Sequence, residues 1–121
     1  MVNENEQLII IRHAPYSSNK LREGLDVALV AAAFGQSISL LFLGQGVLAL
    51  LKEQAIGAPG QKAILPTIDM LEMYDIEQLL VPDEALQALN LHSEHLVEGV
   101  TVIPRAELPS VVKRFDRVLN F

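Results

Sequence analysis

No cysteine occurs anywhere in the 121 residues. That absence excludes disulfides, thiolate zinc and iron–sulfur sites, thiol nucleophiles and persulfides carried by this chain. Tryptophan is missing as well, and aromatic side chains make up only 5% of the sequence. Basic residues are few: 9 Lys and Arg stand against 15 Asp and Glu, for a formal net charge of −6. Direct nucleic-acid binding is therefore disfavoured, because phosphate contacts need clustered Lys and Arg and bases need stacking partners. What is abundant is apolar side chain, at 50% of residues, far from the disordered regime. A chain of this length buries roughly two-thirds of its unfolded surface, and one domain, residues 1–121, is expected.

Charge is unevenly placed. Residues 1–62 balance five basic against five acidic side chains. Between Ala63 and Pro104 there is no Lys or Arg, but Asp69, Glu72, Asp75, Glu77, Asp83, Glu84, Glu94 and Glu98 are all acidic. The tail carries Arg105, Lys113, Arg114 and Arg117. The acidic stretch reads either as a solvated face or as a docking surface for a basic partner.

The acidic start, Met1-Val2-Asn3-Glu4-Asn5-Glu6, lacks the basic residues of an export signal. Val27 to Leu51 is uncharged, but Gly35-Gln36-Ser37 and Gly44-Gln45-Gly46 divide it into pieces. None reaches the ~20 apolar residues that a membrane span requires. A cytoplasmic protein without a membrane segment is the expectation.

Leu8–Ile11 has the continuous apolar pattern of a parallel strand buried on both faces. A helix follows from Asn19 or Lys20 to about Phe34, with Leu21, Leu25, Leu29 and Ala32 as its stripe and Arg22 spaced to pair with Asp26. Gly35 ends it as a C′ glycine. Ile38–Leu43 reads as the second strand, and Gly44-Gln45-Gly46 turns into a short helix over Val47–Lys52. Ala55–Gln61 reads as a loop. A helix from Pro66 or Thr67 to Tyr74, a strand at Gln78–Val81 and a helix from Pro82-Asp83 through Leu89 come next. The pattern ends with a strand at Val100–Ile103, a helix over Pro104–Arg114 and a strand at Arg117–Phe121. Such alternation predicts a three-layer α/β/α fold with a five-stranded parallel sheet.

Sites in such sheets gather at the carboxyl ends of strands, which singles out Arg12–Asn19, Gly44–Gly46 and Pro82–Glu84. Arg12-His13 after an apolar strand has the form of a histidine-phosphatase opening, with His as nucleophile and Arg as oxyanion clamp. Ala14 stands where that motif has Gly, and the reaction needs a second Arg and a second His at the same phosphate. His92 and His95, with Glu94 and Glu98, have spacing that could touch a metal if helical. Gly44-Gln45-Gly46 could cradle an anion, though it lacks the Lys and Ser/Thr of a phosphate loop; a tight turn is the plainer reading. No nucleophile-elbow motif occurs. None of these motifs assigns a catalytic residue, metal or cofactor.

One ordered set of residues goes further. Pro15-Tyr16 is followed by Arg22-Glu23-Gly24-Leu25-Asp26 and Leu29. Next come Leu41-Phe42-Leu43, Gly46-Val47 and Leu50-Leu51. Leu71 precedes Tyr74-Asp75-Ile76-Glu77, and Asp116-Arg117-Val118-Leu119-Asn120-Phe121 closes the chain. In this order and spacing the set resembles the TusC/DsrF branch of the DsrE/DsrF sulfur-relay family. Gln45 departs from it, since these chains often carry an acid before Gly-Val.

The resemblance implies a five-stranded parallel sheet between helices. It also implies a heterohexamer with TusB/DsrH-like and TusD/DsrE-like subunits. That complex takes sulfur from a TusA-like carrier and passes it to a TusE/DsrC-like one, for tRNA wobble 2-thiouridine synthesis or sulfur oxidation. The sulfur-carrying cysteine is expected on the TusD/DsrE-like partner, at a strand end equivalent to Val81-Pro82. The chain is then a non-catalytic subunit. A small phosphatase using His13 and a free-standing homo-oligomeric DsrE-like module stand as alternatives.

Overall fold

The computed structural model describes residues 6–15, 19–52, 65–76 and 78–121. Tyr16, Glu77 and the Ala55–Gln61 stretch lie outside the described residues. One sheet runs through the chain, from β1 (Glu6–Ile11) and β2 (Ser37–Phe42) through β3 (Leu79–Pro82) and β4 (Val100–Ile103) to β5 (Arg117–Asn120). The strand order is β4-β3-β2-β1-β5 and every pairing is parallel. Helices α1 (Lys20–Ala33), α2 (Leu65–Met73), α3 (Asp83–Ala88) and α4 (Leu108–Lys113) make the connections, together with short 3-10 segments.

Strand alternation sorts the core into two layers. Ile9, Ile11, Ile38, Leu40, Phe42, Leu79 and Val81 pack on one side with Leu21, Leu25 and Ala28 of α1, Ile68 and Leu71 of α2, and Ala85 and Leu86 of α3. Leu8, Ile10, Leu41, Leu80 and Ile103 face the other side, where Leu108, Val111 and Val112 of α4 lie with Phe115. The central strands are thus buried on both faces, which is why β1 and β2 read as unbroken apolar runs.

Helix ends are set by one device used three times. Gly35 (φ +86°), Asp75 (φ +62°) and Asn90 (φ +54°) each take the left-handed conformation just past a helix. At α1, Gly35 N–H donates to Ala32 O (2.9 Å) and Gln36 N–H to Ala31 O (3.1 Å). At α2, Asp75 N–H donates to Glu72 O (3.0 Å) and Ile76 N–H to Leu71 O (3.0 Å). At α3 the donors are Asn90 N–H to Gln87 O (3.1 Å) and Leu91 N–H to Leu86 O (2.8 Å). This paired pattern is the Schellman stop; Gly, Asp and Asn are the residues that tolerate it.

Two expected helices take different forms. Gly44–Leu50 is a 3-10 segment rather than an α-helix over Val47–Lys52. Its last carbonyl and the N–H two residues on are taken by another loop: Val97 N–H donates to Leu50 O (2.8 Å) and Lys52 N–H to His95 O (2.9 Å). In an α-helix the Lys52 N–H would donate to Leu48 O; here Leu48 O accepts from Leu51 N–H (3.4 Å) instead, the 3-10 spacing. Pro104–Arg114 divides into a 3-10 turn, Arg105–Glu107, and α4, because Pro109 sits in the first turn of α4 and cannot donate to a helix already running. Among the described residues of α1 an ion pair joins Lys20 and Glu23 (3.9 Å).

Candidate functional site

The carboxyl rim of the sheet carries Arg12-His13 after β1, Gly44-Gln45-Gly46 after β2, Pro82-Asp83 after β3, Arg105 beyond β4 and Phe121 after β5. Arg12 is tied to the chain end twice. Its backbone N–H donates to Phe121 O (2.9 Å) and its Nε to Asn120 Oδ1 (3.2 Å). Phe121 N–H in turn donates to Ile10 O (2.8 Å), so β5 locks the exit of β1.

Across the rim, Asp83 Oδ1 accepts from the backbone N–H of Arg105 (3.1 Å). The Arg105 guanidinium also meets Glu84 (3.3 Å) in an exposed pair, worth ~0–1 kcal/mol at the surface. Two rim cations, Arg12 and Arg105, therefore already have partners.

The glycine turn packs against β1. Gly46 N–H donates to Leu43 O (2.9 Å), and Leu43 N–H donates to Ile11 O (2.9 Å). A Cβ at Gly46 would stand 2.3 Å from Ile11 O. The turn exists to let this backbone pass against β1, as the plainer sequence reading has it.

The structure does not bring His13 to His92 and His95. His13 follows the carboxyl end of β1, whereas His92 and His95 follow α3, which descends from the end of β3 towards the start of β4. The second His that phosphoryl transfer needs is absent from the rim among the described residues. His92 and His95 instead close a local turn: His95 Nδ1 accepts from His92 N–H (3.0 Å), and the rings lie 5.7 Å apart. The Nδ1 lone pair that could meet a metal is thereby used. Among the described residues no group of three or more His, Asp or Glu is placed to hold a metal.

The motif positions take mainly architectural places. Gly24 is buried on α1, where a Cβ would come within 3.1–3.3 Å of the Phe121 side chain; the glycine makes room for the last residue of the chain. Asp75 is the helix stop of α2 and Tyr74, before it, is partly exposed. Glu23 pairs with Lys20, Asp26 is exposed, and Pro15 and Arg22 are half-buried. Val81 and Pro82 are buried at the end of β3. The Asp83–Arg105 and Arg12–Asn120 contacts escape the sequence reading because each joins residues distant in the chain. The stops at Asp75 and Asn90 had a signal, an Asp or Asn just past an apolar periodicity.

No helix among the described residues is long and apolar enough to cross a membrane. A family model described as the DsrE/DsrF-like family matches residues 6–121. Similar proteins include a TusC homolog of Vibrio vulnificus strain CMCP6, 36% identical over 93% of this chain and 95% of that protein. The intracellular sulfur oxidation protein DsrF of Allochromatium vinosum is 37% identical over 91% of each chain. Among solved structures, the E. coli ychN protein superposes with a TM-score of 0.83 at 20% identity, covering 97% of this chain and 99% of that one. That last likeness concerns the fold.

Proposed function

The chain belongs to the DsrE/DsrF-like family, and from that premise we propose that it is a non-catalytic TusC/DsrF-type subunit of a sulfur-relay complex. The observation that carries this reading is the kinship with TusC and DsrF proteins in a chain that holds no cysteine. Persulfide chemistry requires a thiolate, so the sulfur must ride on another chain. In this reading the companions are TusB/DsrH-like and TusD/DsrE-like subunits in a heterohexamer, and the cysteine belongs to the latter. A TusA-like carrier delivers sulfur and a TusE/DsrC-like carrier receives it, for tRNA thiolation or sulfur oxidation in the cytoplasm.

An apolar stripe on α1 supports an assembled state. Val27, Val30 and, at the C-terminal cap of the helix, Phe34 are spaced at i, i+3 and i+7 and are 37%, 57% and 82% exposed. Three large apolar groups in line on one helix face are the form of a helix-packing seam. Co-expression with the two companion chains, followed by native mass spectrometry, tests the reading. A complex with two copies of each is expected, and sulfur loading should appear only on the cysteine-bearing companion. A chain that stays monomeric beside both companions, or that assembles only with itself, overturns it.

A further inference from the structure

Helix α2 has two faces of different chemistry. Ile68 and Leu71 are buried in the core, while Met70, Met73 and Tyr74 project outward, Met73 with 81% of its surface in water. Another side of the same helix borders a cleft of about 620 Å³. Ile68, Leu71, Ile76, Leu79 and Val97 supply its apolar wall, and Asp69, Glu72 and Glu98 its carboxylates. The three acids come from α2 and from the turn before β4, so they converge from separate elements. None of them forms an ion pair with another described residue. No Lys or Arg occurs between Ala63 and Pro104 to neutralise them.

We propose that this face docks a partner protein through a basic segment flanked by apolar side chains. A Lys or Arg of the partner lays its aliphatic stem along the cleft wall and brings its charged head to Asp69, Glu72 and Glu98, as long basic side chains do over apolar surface. The partner's apolar neighbours cover Met70 and Met73, whose flexible thioethers adapt to irregular shapes. Exposed carboxylates contribute little affinity alone. The ridge supplies the contact area and the acids select the partner by sign and speed its approach. Sign also excludes the other occupants: a nucleic acid or anionic lipid is repelled, and a two-fold contact of this face with its own copy sets carboxylates against carboxylates. This deepens the subunit reading by giving one docking face its chemistry, while the test uses a probe outside the complex.

The full chain is titrated with a synthetic helical Leu–Lys peptide and, separately, with its Leu–Glu twin. Binding is read by calorimetry and by the methyl NMR signals of Met70 and Met73. The Leu–Lys peptide is expected to shift both methyls saturably, the twin to shift neither. Glu72→Lys with Glu98→Lys should weaken the peptide at least ten-fold, as should 0.5 M salt, and Met73→Ser several-fold. Both carboxylates are on the surface, so these variants should melt as the parent does; Glu98→Gln alone, with a smaller loss, serves if the double reversal unfolds. Absent or equal binding by parent and variants, or shifts that spare the two methyls, overturns the proposal. So does a self-association in sedimentation velocity that the same variants abolish, which would assign the face to a second copy. Failure of co-purification with the companion chains is read in a separate experiment and bears on the subunit reading alone.

Discussion

Gly46→Ala is the substitution for which the structure gives the sharpest magnitude. The added methyl would stand 2.3 Å from Ile11 O and 2.9 Å from Ile11 C. Ordinary C···O contacts begin at about 3.3 Å, so the turn and β1 would have to part by about 1 Å. Ile11 is fully buried, and its carbonyl accepts the Leu43 N–H bond that closes the β1–β2 edge. Overpacking of about 1–3 kcal/mol and a weakened hydrogen bond of about 1 kcal/mol give a loss of about 2–4 kcal/mol. That is a large part of the 5–15 kcal/mol typical of a domain. At roughly 3–5 °C per kcal/mol for a chain of this size, the thermal midpoint should fall by about 6–20 °C. Gly24→Ala is the control. The three atoms nearest its methyl all belong to the side chain of Phe121, at 3.1–3.3 Å. Steric cost there is offset by the ~1 kcal/mol that Ala gains over Gly inside a helix, so the net change should be near zero. Urea unfolding of the two variants settles the comparison. If Gly46→Ala lies within about 0.5 kcal/mol of the parent, the scatter expected of unremarkable surface changes, the close-approach reasoning is wrong.

Phe34→Ser should leave the melting of the isolated chain almost unchanged, because the ring is 82% exposed, yet weaken assembly with a companion chain ten-fold or more, as loss of an aromatic anchor does; unchanged affinity would remove α1 from the interface. Asp75→Gly should raise stability by about 0.5–1 kcal/mol, since φ is +62° there and glycine adopts that conformation without strain; a destabilised variant in urea titration would mean that the carboxylate has a role beyond the backbone stop. His13→Ala should alter no phosphatase activity, because no second histidine shares its rim among the described residues; a phosphatase activity that the substitution abolishes would restore the phosphatase alternative. Val81→Cys should leave the new thiol unlabelled by a thiol reagent in the native chain and labelled after unfolding, because Val81 has no exposed surface and apolar burial suppresses thiolate formation; rapid native labelling would show that the end of β3 is open.

The order of strands and helices was legible because local pattern and tertiary environment agree. Ile9, Ile11, Leu40 and Phe42 are buried on one face and Leu8, Ile10 and Leu41 on the other, so an unbroken apolar run and a central parallel strand are the same fact. Agreement fails where a distant segment takes over a backbone group. Leu50 O and Lys52 N–H are claimed by Val97 and His95, and no local pattern in Val47–Lys52 announces it. The rim contacts fail to show for the same reason: Arg12 meets Asn120, and Asp83 meets Arg105, only once parallel strands set their ends side by side. The reading of Gly35 as a helix stop succeeded because glycine has one common reason to follow an apolar periodicity. Tyr74-Asp75 stood out as a motif before its reason was visible, and that reason is a left-handed backbone angle.

The two outward patches can be told apart by charge, and this bears on what each can do. The α1 stripe of Val27, Val30 and Phe34 presents three apolar side chains in a row. Apolar contact is insensitive to dilute salt and grows with buried area, the character of a permanent subunit contact. Helix α2 carries exposed Met70 and Met73, and its Asp69 and Glu72 line a cleft with Glu98; exposed charges are screened within a Debye length of ~10 Å at 0.1 M salt. A contact made there associates fast at low salt and is released as salt rises, the character of a passing partner. The relay subunit proposed above, with no thiol of its own, would need both kinds of surface, one to stay in the complex and one to admit what comes and goes. Salt is thus the variable that separates them: raising it should dissociate a protein held on α2 before it loosens one held on α1.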